Sequence, residues 1–132
     1  MYDLMTIKEK VSSLRILVVD DEEAILNGTT VFMKKFFNHV DSAKNGEDAL
    51  KKFKEEGPYD IILTDVRMPK VTGWELIEAL KDIDTEFFSA VMTGSPDVDG
   101  AFKDNCDIFM AKPIDINNLK RMMEMVIKKK NL

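Results

Sequence analysis

The 132-residue sequence predicts an α/β fold built on a five-stranded parallel sheet, strand order 2-1-3-4-5, with helices on both faces. Three observations carry that prediction. Short apolar runs alternate with helical patterns five times along the chain, and such alternation calls for a parallel sheet covered on both sides. Two of the runs, Ile16-Leu17-Val18-Val19 and Ile61-Ile62-Leu63, are apolar without a break, as strands buried on both faces are. Both lead into carboxylates, at the strand end where open α/β sheets place their chemistry.

Taken in order, residues 1–13 carry a weak helical pattern (Leu4, Ile7, Val11) ending in Ser12-Ser13, and read as a stub or linker before a domain over 14–132. The first strand, Ile16–Val19, runs into Asp20-Asp21-Glu22-Glu23, acids that can also start a helix by complementing its dipole. Ile25, Thr29, Phe32 and Phe36 follow at helical spacing. A weaker second strand spans 39–43, and Asn45-Gly46-Glu47-Asp48 opens a helix expected to bury Ala49, Leu50 and Phe53 before Gly57-Pro58 ends it. The central strand occupies 60–65. Thr72-Gly73-Trp74-Glu75 fits a capping box, so a third helix starts there and buries Leu76, Ile77, Leu80 and Ile83. A fourth strand, Phe87–Met92, ends in Thr93-Gly94-Ser95-Pro96, and the polar residues 97–105 support only a short or poorly formed helix. The fifth strand, Asp107–Ala111, ends in Lys112-Pro113. Asp115 then caps a last helix carrying Ile116, Leu119, Met122, Met123, Val126 and Ile127. At this length the flavodoxin-like order 2-1-3-4-5 is the commonest arrangement, with strands 1 and 3 adjacent.

Composition narrows the function classes. With 45% hydrophobic and 33% charged residues the chain reads as one ordinary soluble domain. A net charge of −5 argues against direct nucleic-acid binding. The single cysteine, Cys106, excludes an internal disulfide framework, fits a reducing compartment, and reads as a small hydrophobe rather than a reactive thiol. No apolar run is long enough for a membrane helix, and residues 1–8 carry charges where a secretory signal would be apolar. The expected setting is cytoplasmic.

In the predicted strand order Asp20, Asp21 and Asp65 converge. Crowded carboxylates repel unless a cation sits among them or some take up protons. All-oxygen donors with room for water and phosphate oxygens suit Mg²⁺. A carboxylate can attack phosphorus to give an acyl phosphate. Asp65, alone at the end of the central strand, is the best nucleophile, and Asp20 and Asp21 are better placed to hold metal. Strands 4 and 5 bring Thr93 and Lys112 to the same edge, where a hydroxyl and an ammonium can hold phosphoryl oxygens.

Val19-Asp20-Asp21-Glu22, Thr64-Asp65-Val66-Arg67-Met68-Pro69, Met92-Thr93-Gly94 and Ala111-Lys112-Pro113 together resemble the signature of response-regulator receiver domains of two-component signalling. The resemblance covers about residues 14–130, nearly the whole chain. It implies that Asp65 accepts a phosphoryl group from a phosphohistidine on a sensor histidine kinase or histidine phosphotransfer protein. It further implies Mg²⁺ bound by Asp20, Asp21, Asp65 and the backbone carbonyl of Arg67, with Thr93 and Lys112 on the phosphoryl oxygens. A cis Lys112–Pro113 bond is expected, as is a switch in which Phe109 turns inward when Thr93 moves. That switch would rearrange residues 97–105, the fifth strand and the last helix, the family's fourth-helix, fifth-strand and fifth-helix surface. Self-phosphorylation and slow hydrolysis are implied, without turnover of an external substrate. A phosphorylation-dependent homodimer is compatible with this family. The Thr93–Lys112 interval is a few residues shorter than usual, however, so no standard dimer mode carries over. Lys70 stands where glycine is frequent, Trp74 where an aliphatic residue is usual, and Arg67 and Ser95 at variable positions flanking the site.

Other readings fare worse. A haloacid-dehalogenase-type phosphatase needs a second Asp two residues after its nucleophile, where this chain has Arg67. A flavodoxin-like binding module needs a phosphate-cradling loop, and Asp20-Asp21-Glu22-Glu23 would repel phosphate. An inactive receiver-like interaction module would not need all five site residues. His39, before an edge strand, reads as a surface histidine, and Met122, Met123 and Met125 as packing residues.

Overall fold

A computed structural model describes residues 2–132. The strands β1 (Arg15–Val19), β2 (His39–Ala43), β3 (Ile61–Asp65), β4 (Phe88–Thr93) and β5 (Ile108–Ala111) form one parallel sheet, order β2-β1-β3-β4-β5. The flavodoxin-like α/β prediction holds.

Because successive side chains alternate faces, each central strand feeds two cores. Ile16, Val18, Ile61 and Leu63 enter one with α1 (Leu4–Val11), α2 (Glu23–Met33) and α6 (Ile116–Lys129). Leu17, Val19 and Ile62 enter the other with α3 (Gly46–Glu56) and α4 (Gly73–Lys81). All three apolar residues of β3 are fully buried, each contributing roughly 1.5–3 kcal/mol as an upper bound. Between β4 and β5 the chain makes one helical turn, α5 (Pro96–Asp99), and a 3₁₀ segment, Gly100–Asn105, the short and poorly formed helix expected there.

The N-terminal segment, read as a stub or linker, is more structured than its weak pattern suggested. Asp3 caps α1 through its bond from the Thr6 N–H, 2.8 Å, and Ile7 and Val11 are fully buried against α6. The Tyr2 N–H donates to Glu124 at 3.0 Å, and Lys10 Nζ donates to the Leu132 carbonyl at 3.1 Å.

Two residues expected to be buried, Ile83 and Leu50, are not fully so, and two apolar patterns sit differently from their spacing. Ile83 lies beyond the end of α4 and is 48% exposed. Ile116 opens the first turn of α6 on its solvent side and is also exposed. In α2 the buried face is Leu26 and Met33, continuing to Phe37, so the apolar stripe through Ile25 is rotated one residue off the core. Leu50 is only half-buried. The capping box of α4 forms as expected, with Thr72 and Glu75 each accepting the other's backbone N–H. Among the described residues, no helix is long and apolar enough to cross a membrane.

Candidate functional site

Strand register assembles the site. Val19 pairs with Thr64, so Asp20 and Asp65 each stand one residue beyond a matched pair. Asp65 pairs with Met92, Thr93 follows and pairs with Ala111, and Lys112 comes next. Four strand ends thus deliver their polar residues to one edge.

Carboxylate oxygens of Asp20, Asp21 and Asp65 lie within 4.8 Å of one another. Asp20 is fully buried, Asp65 is 5% exposed, and Asp21 is open to solvent. The Lys112 ammonium sits 2.7 Å from Asp20 Oδ2 and 3.3 Å from Asp65 Oδ2. Asp20 Oδ1 accepts the Glu22 N–H at 3.0 Å, which fixes the carboxylate at the start of α2. Three acids share one ammonium, so negative charge is left over. Donors that are all hard oxygens fit a small divalent cation such as Mg²⁺.

Burial pushes the Asp65 carboxyl above the ordinary range; Lys112 opposes this and the charges of Asp20 and Asp21 reinforce it. For Lys112, burial works against the ammonium, but the bond to Asp20 and the charges of Asp65 and Asp20 outweigh it and raise its pKa.

The loop after β3 is pinned from below. The Val66 N–H donates to the Met92 carbonyl at 3.1 Å, and the Gly73 N–H to the Val66 carbonyl at 2.8 Å. Gly73 starts α4 so close to the end of β3 that a Cβ there would lie 2.2 Å from the Asp65 carbonyl oxygen. Lys70 holds φ 68°, the left-handed region that glycine adopts most easily, which explains the physical basis of a glycine at that point. The Lys112–Pro113 bond is cis, as expected.

The hydroxyl of Thr93, which the expected switch would move to the phosphoryl oxygens, donates to Asp99 Oδ2 at 2.5 Å and accepts the Ser95 N–H at 3.0 Å. The exposed Arg67 side chain reaches the same carboxylate, with Nε 3.1 and 3.0 Å from its two oxygens. Phe109 is half-buried and stacks on Trp74, ring centroids 5.7 Å apart. Asp99 is the polar residue that sequence reasoning missed; its only signal was an acid inside a segment read as a weak helix. His39 lies at the start of β2, at the opposite edge of the sheet. Cys106 is half-buried, and burial pushes its thiol up to about 11, away from reactivity.

A family model for the response regulator receiver domain matches residues 16–124. The cyclic-nucleotide phosphodiesterase regA of Dictyostelium discoideum is 31% identical over 123 residues, 88% of this chain and 16% of that protein. The alkaline phosphatase synthesis transcriptional regulatory protein PhoP of Bacillus subtilis is 29% identical over 121 residues, 89% of this chain and 50% of that protein. The chain therefore spans half or less of these curated relatives. Among solved structures, a receiver domain protein from Clostridium thermocellum superposes with a TM-score of 0.80 at 27% identity, covering 90% of this chain and 98% of that one. The response regulator TrrA of Thermotoga maritima, solved in complex with Mg²⁺-BeF, gives 0.76 at 28% identity, covering 86% and 99%. Receiver domains are regulatory, and histidine kinases or phosphotransfer proteins phosphorylate them. With the family model running from the first strand into α6, and the fold and acidic edge in agreement with it, the chain belongs to the response regulator receiver domain family.

Proposed function

We propose that this chain is a phosphorylation-controlled switch whose acceptor is Asp65. The observation that carries the reading is the carboxylate cluster of Asp20, Asp21 and Asp65 within 4.8 Å, with the Lys112 ammonium against two of its members. An Asp65 carboxylate oxygen bonds to phosphorus as the nitrogen–phosphorus bond of a phosphohistidine breaks, the electron pair staying on the imidazole. The donor is a sensor histidine kinase or a histidine phosphotransfer protein. Asp20, Asp21, Asp65 and the Arg67 carbonyl would hold Mg²⁺, which supplies neutralising charge for the phosphoryl oxygens when bound. The Mg²⁺-BeF complex of TrrA supports that assignment by analogy.

Lys112 is already aimed at Asp65 and holds one phosphoryl oxygen; Thr93 holds another after leaving Asp99. Phe109 follows Thr93, and the surface of α5, β5 and α6 rearranges as the output. The chain turns over no external substrate, and its setting is the cytoplasm. Downstream action belongs to the whole protein and its partners.

Intact-protein mass after incubation with Mg²⁺ and acetyl phosphate or phosphoramidate tests the reading. One added phosphoryl group, dependent on Mg²⁺ and absent from Asp65→Asn, is expected. Undiminished labelling of Asp65→Asn would remove Asp65 from its role, and no labelling with any donor would favour an inactive interaction module.

A further inference from the structure

One aspartate outside the acidic cluster contacts three separate elements around the site. Asp99, the last residue of α5, has a side chain only 9% exposed although it sits on a surface segment. It accepts the Thr93 hydroxyl at 2.5 Å and the Arg67 guanidinium on both oxygens. Its backbone carbonyl accepts the Trp74 indole N–H at 3.2 Å. Trp74 in turn stacks on Phe109 and meets Phe102 edge-on at 6.2 Å. A single residue thus joins the hydroxyl at the end of β4, the side chain two places after Asp65, and the aromatic stack over β5.

A threonine hydroxyl has one proton to donate. It can serve the Asp99 carboxylate or a phosphoryl oxygen on Asp65, not both. The two acceptors are anions of the same hydrogen-bonding class, so they compete for one donor, and each occupancy defines a state of the molecule. The backbone carbonyl of the same residue anchors Trp74, on which Phe109 is stacked, so Asp99 touches both the hydroxyl and the aromatic pair.

We propose that Asp99 is a positioning residue: its carboxylate substitutes for the phosphoryl group in the resting protein, holding Thr93 and Arg67 until Asp65 is phosphorylated. The proposal rests on the reading of Asp65 as phospho-acceptor. Removing the competitor should make the phosphorylated arrangement easier to reach without touching any group that contacts phosphorus.

Beryllofluoride with Mg²⁺, titrated into the whole chain, supplies the probe, and Trp74, the only tryptophan, supplies the fluorescence signal. Acetyl phosphate labelling followed by mass gives a second, independent readout. The half-saturating beryllofluoride concentration should fall about tenfold in Asp99→Ala, the factor that corresponds to ~1.4 kcal/mol, and by less in Asp99→Asn, which keeps an uncharged acceptor. Labelling should be faster in the same order. In a Thr93→Ala background Asp99→Asn should have no further effect, which a general loss of negative charge near the site would not reproduce. Equal half-saturation in wild type and both Asp99 variants would overturn the proposal, as would an undiminished Asp99→Asn effect without Thr93. Wild-type protein that takes neither beryllofluoride nor phosphoryl group would overturn the acceptor reading itself, and this proposal with it.

Discussion

The two edges of the sheet treat buried acids in opposite ways. At the carboxyl edge, Asp65 is buried among like charges and its pKa rises. Towards the amino edge, at Asp41 in the middle of β2 and at Asp107 just before β5, partial burial also works against the charged forms, yet both pKa values fall. Hydrogen bonds from Tyr59 and His39 outweigh burial at Asp41, and Lys129 and Ser89 do so at Asp107. The Ser89 N–H and Lys129 Nζ reach Asp107 Oδ2 at 2.8 and 2.9 Å, and Arg15 lies 5.0 Å over the Tyr59 ring, whose hydroxyl donates to Asp41. Burial is common to both edges, so partners decide the sign. The amino edge is satisfied; the carboxyl edge keeps surplus negative charge, which is what a cation can use.

The largest effect should come from Lys112, whose ammonium sits against the acidic edge. Lys112→Ala leaves the buried Asp20 and Asp65 without a cation and should destabilise the protein by about 3–5 kcal/mol in urea unfolding with a metal chelator present. Since the folded-state pKa of Lys112 is raised above its ordinary 10.5, its contribution is complete below that value and lost as pH rises through the folded pKa. A variant as stable as wild type at neutral pH would erase the contrast between the edges.

A smaller loss is expected at the satisfied edge. Asp107→Ala strips partners from the Ser89 N–H and hydroxyl and should cost about 1–3 kcal/mol. Its folded-state pKa is depressed, so the contribution is present above the ordinary 3.8 and disappears as pH falls through the folded value. Thermal melts of both proteins from neutral to acid pH should therefore converge.

The smallest change has the opposite sign. Asp65→Asn relieves a carboxyl whose folded pKa is raised, a penalty fully present above that pKa and absent below the ordinary 3.8. The variant should gain about 0.5–2 kcal/mol at neutral pH and nothing in acid, measured by calorimetry. A loss at neutral pH would mean that Asp65 supports the fold it was expected to burden.

Strand ends were readable in the sequence because β1, β3 and β4 are mostly apolar inside, with Ser89 and Thr64 the polar exceptions before the polar ends at Asp20, Asp65 and Thr93. Strand order then follows from the crossover rule, which is why the acidic cluster was legible in the sequence. The face of α2 was not, because Ile25 and Leu26 are equally apolar and only packing chooses between the two stripes. Ile83 followed the α4 period but fell past the helix end. Asp99 was illegible for a different reason: its partners Thr93, Arg67 and Trp74 come from three separate elements, and no local pattern links them.

Gly73 carries no charge, binds nothing and does no chemistry, yet its contact with the Asp65 carbonyl leaves room for a hydrogen and no more. A saturation library scored for folding would accept Asn at 65 and return a single letter at 73. One of the chain's strictest instructions therefore lies at a helix start beside the acidic edge, in a residue whose whole message is the absence of an atom.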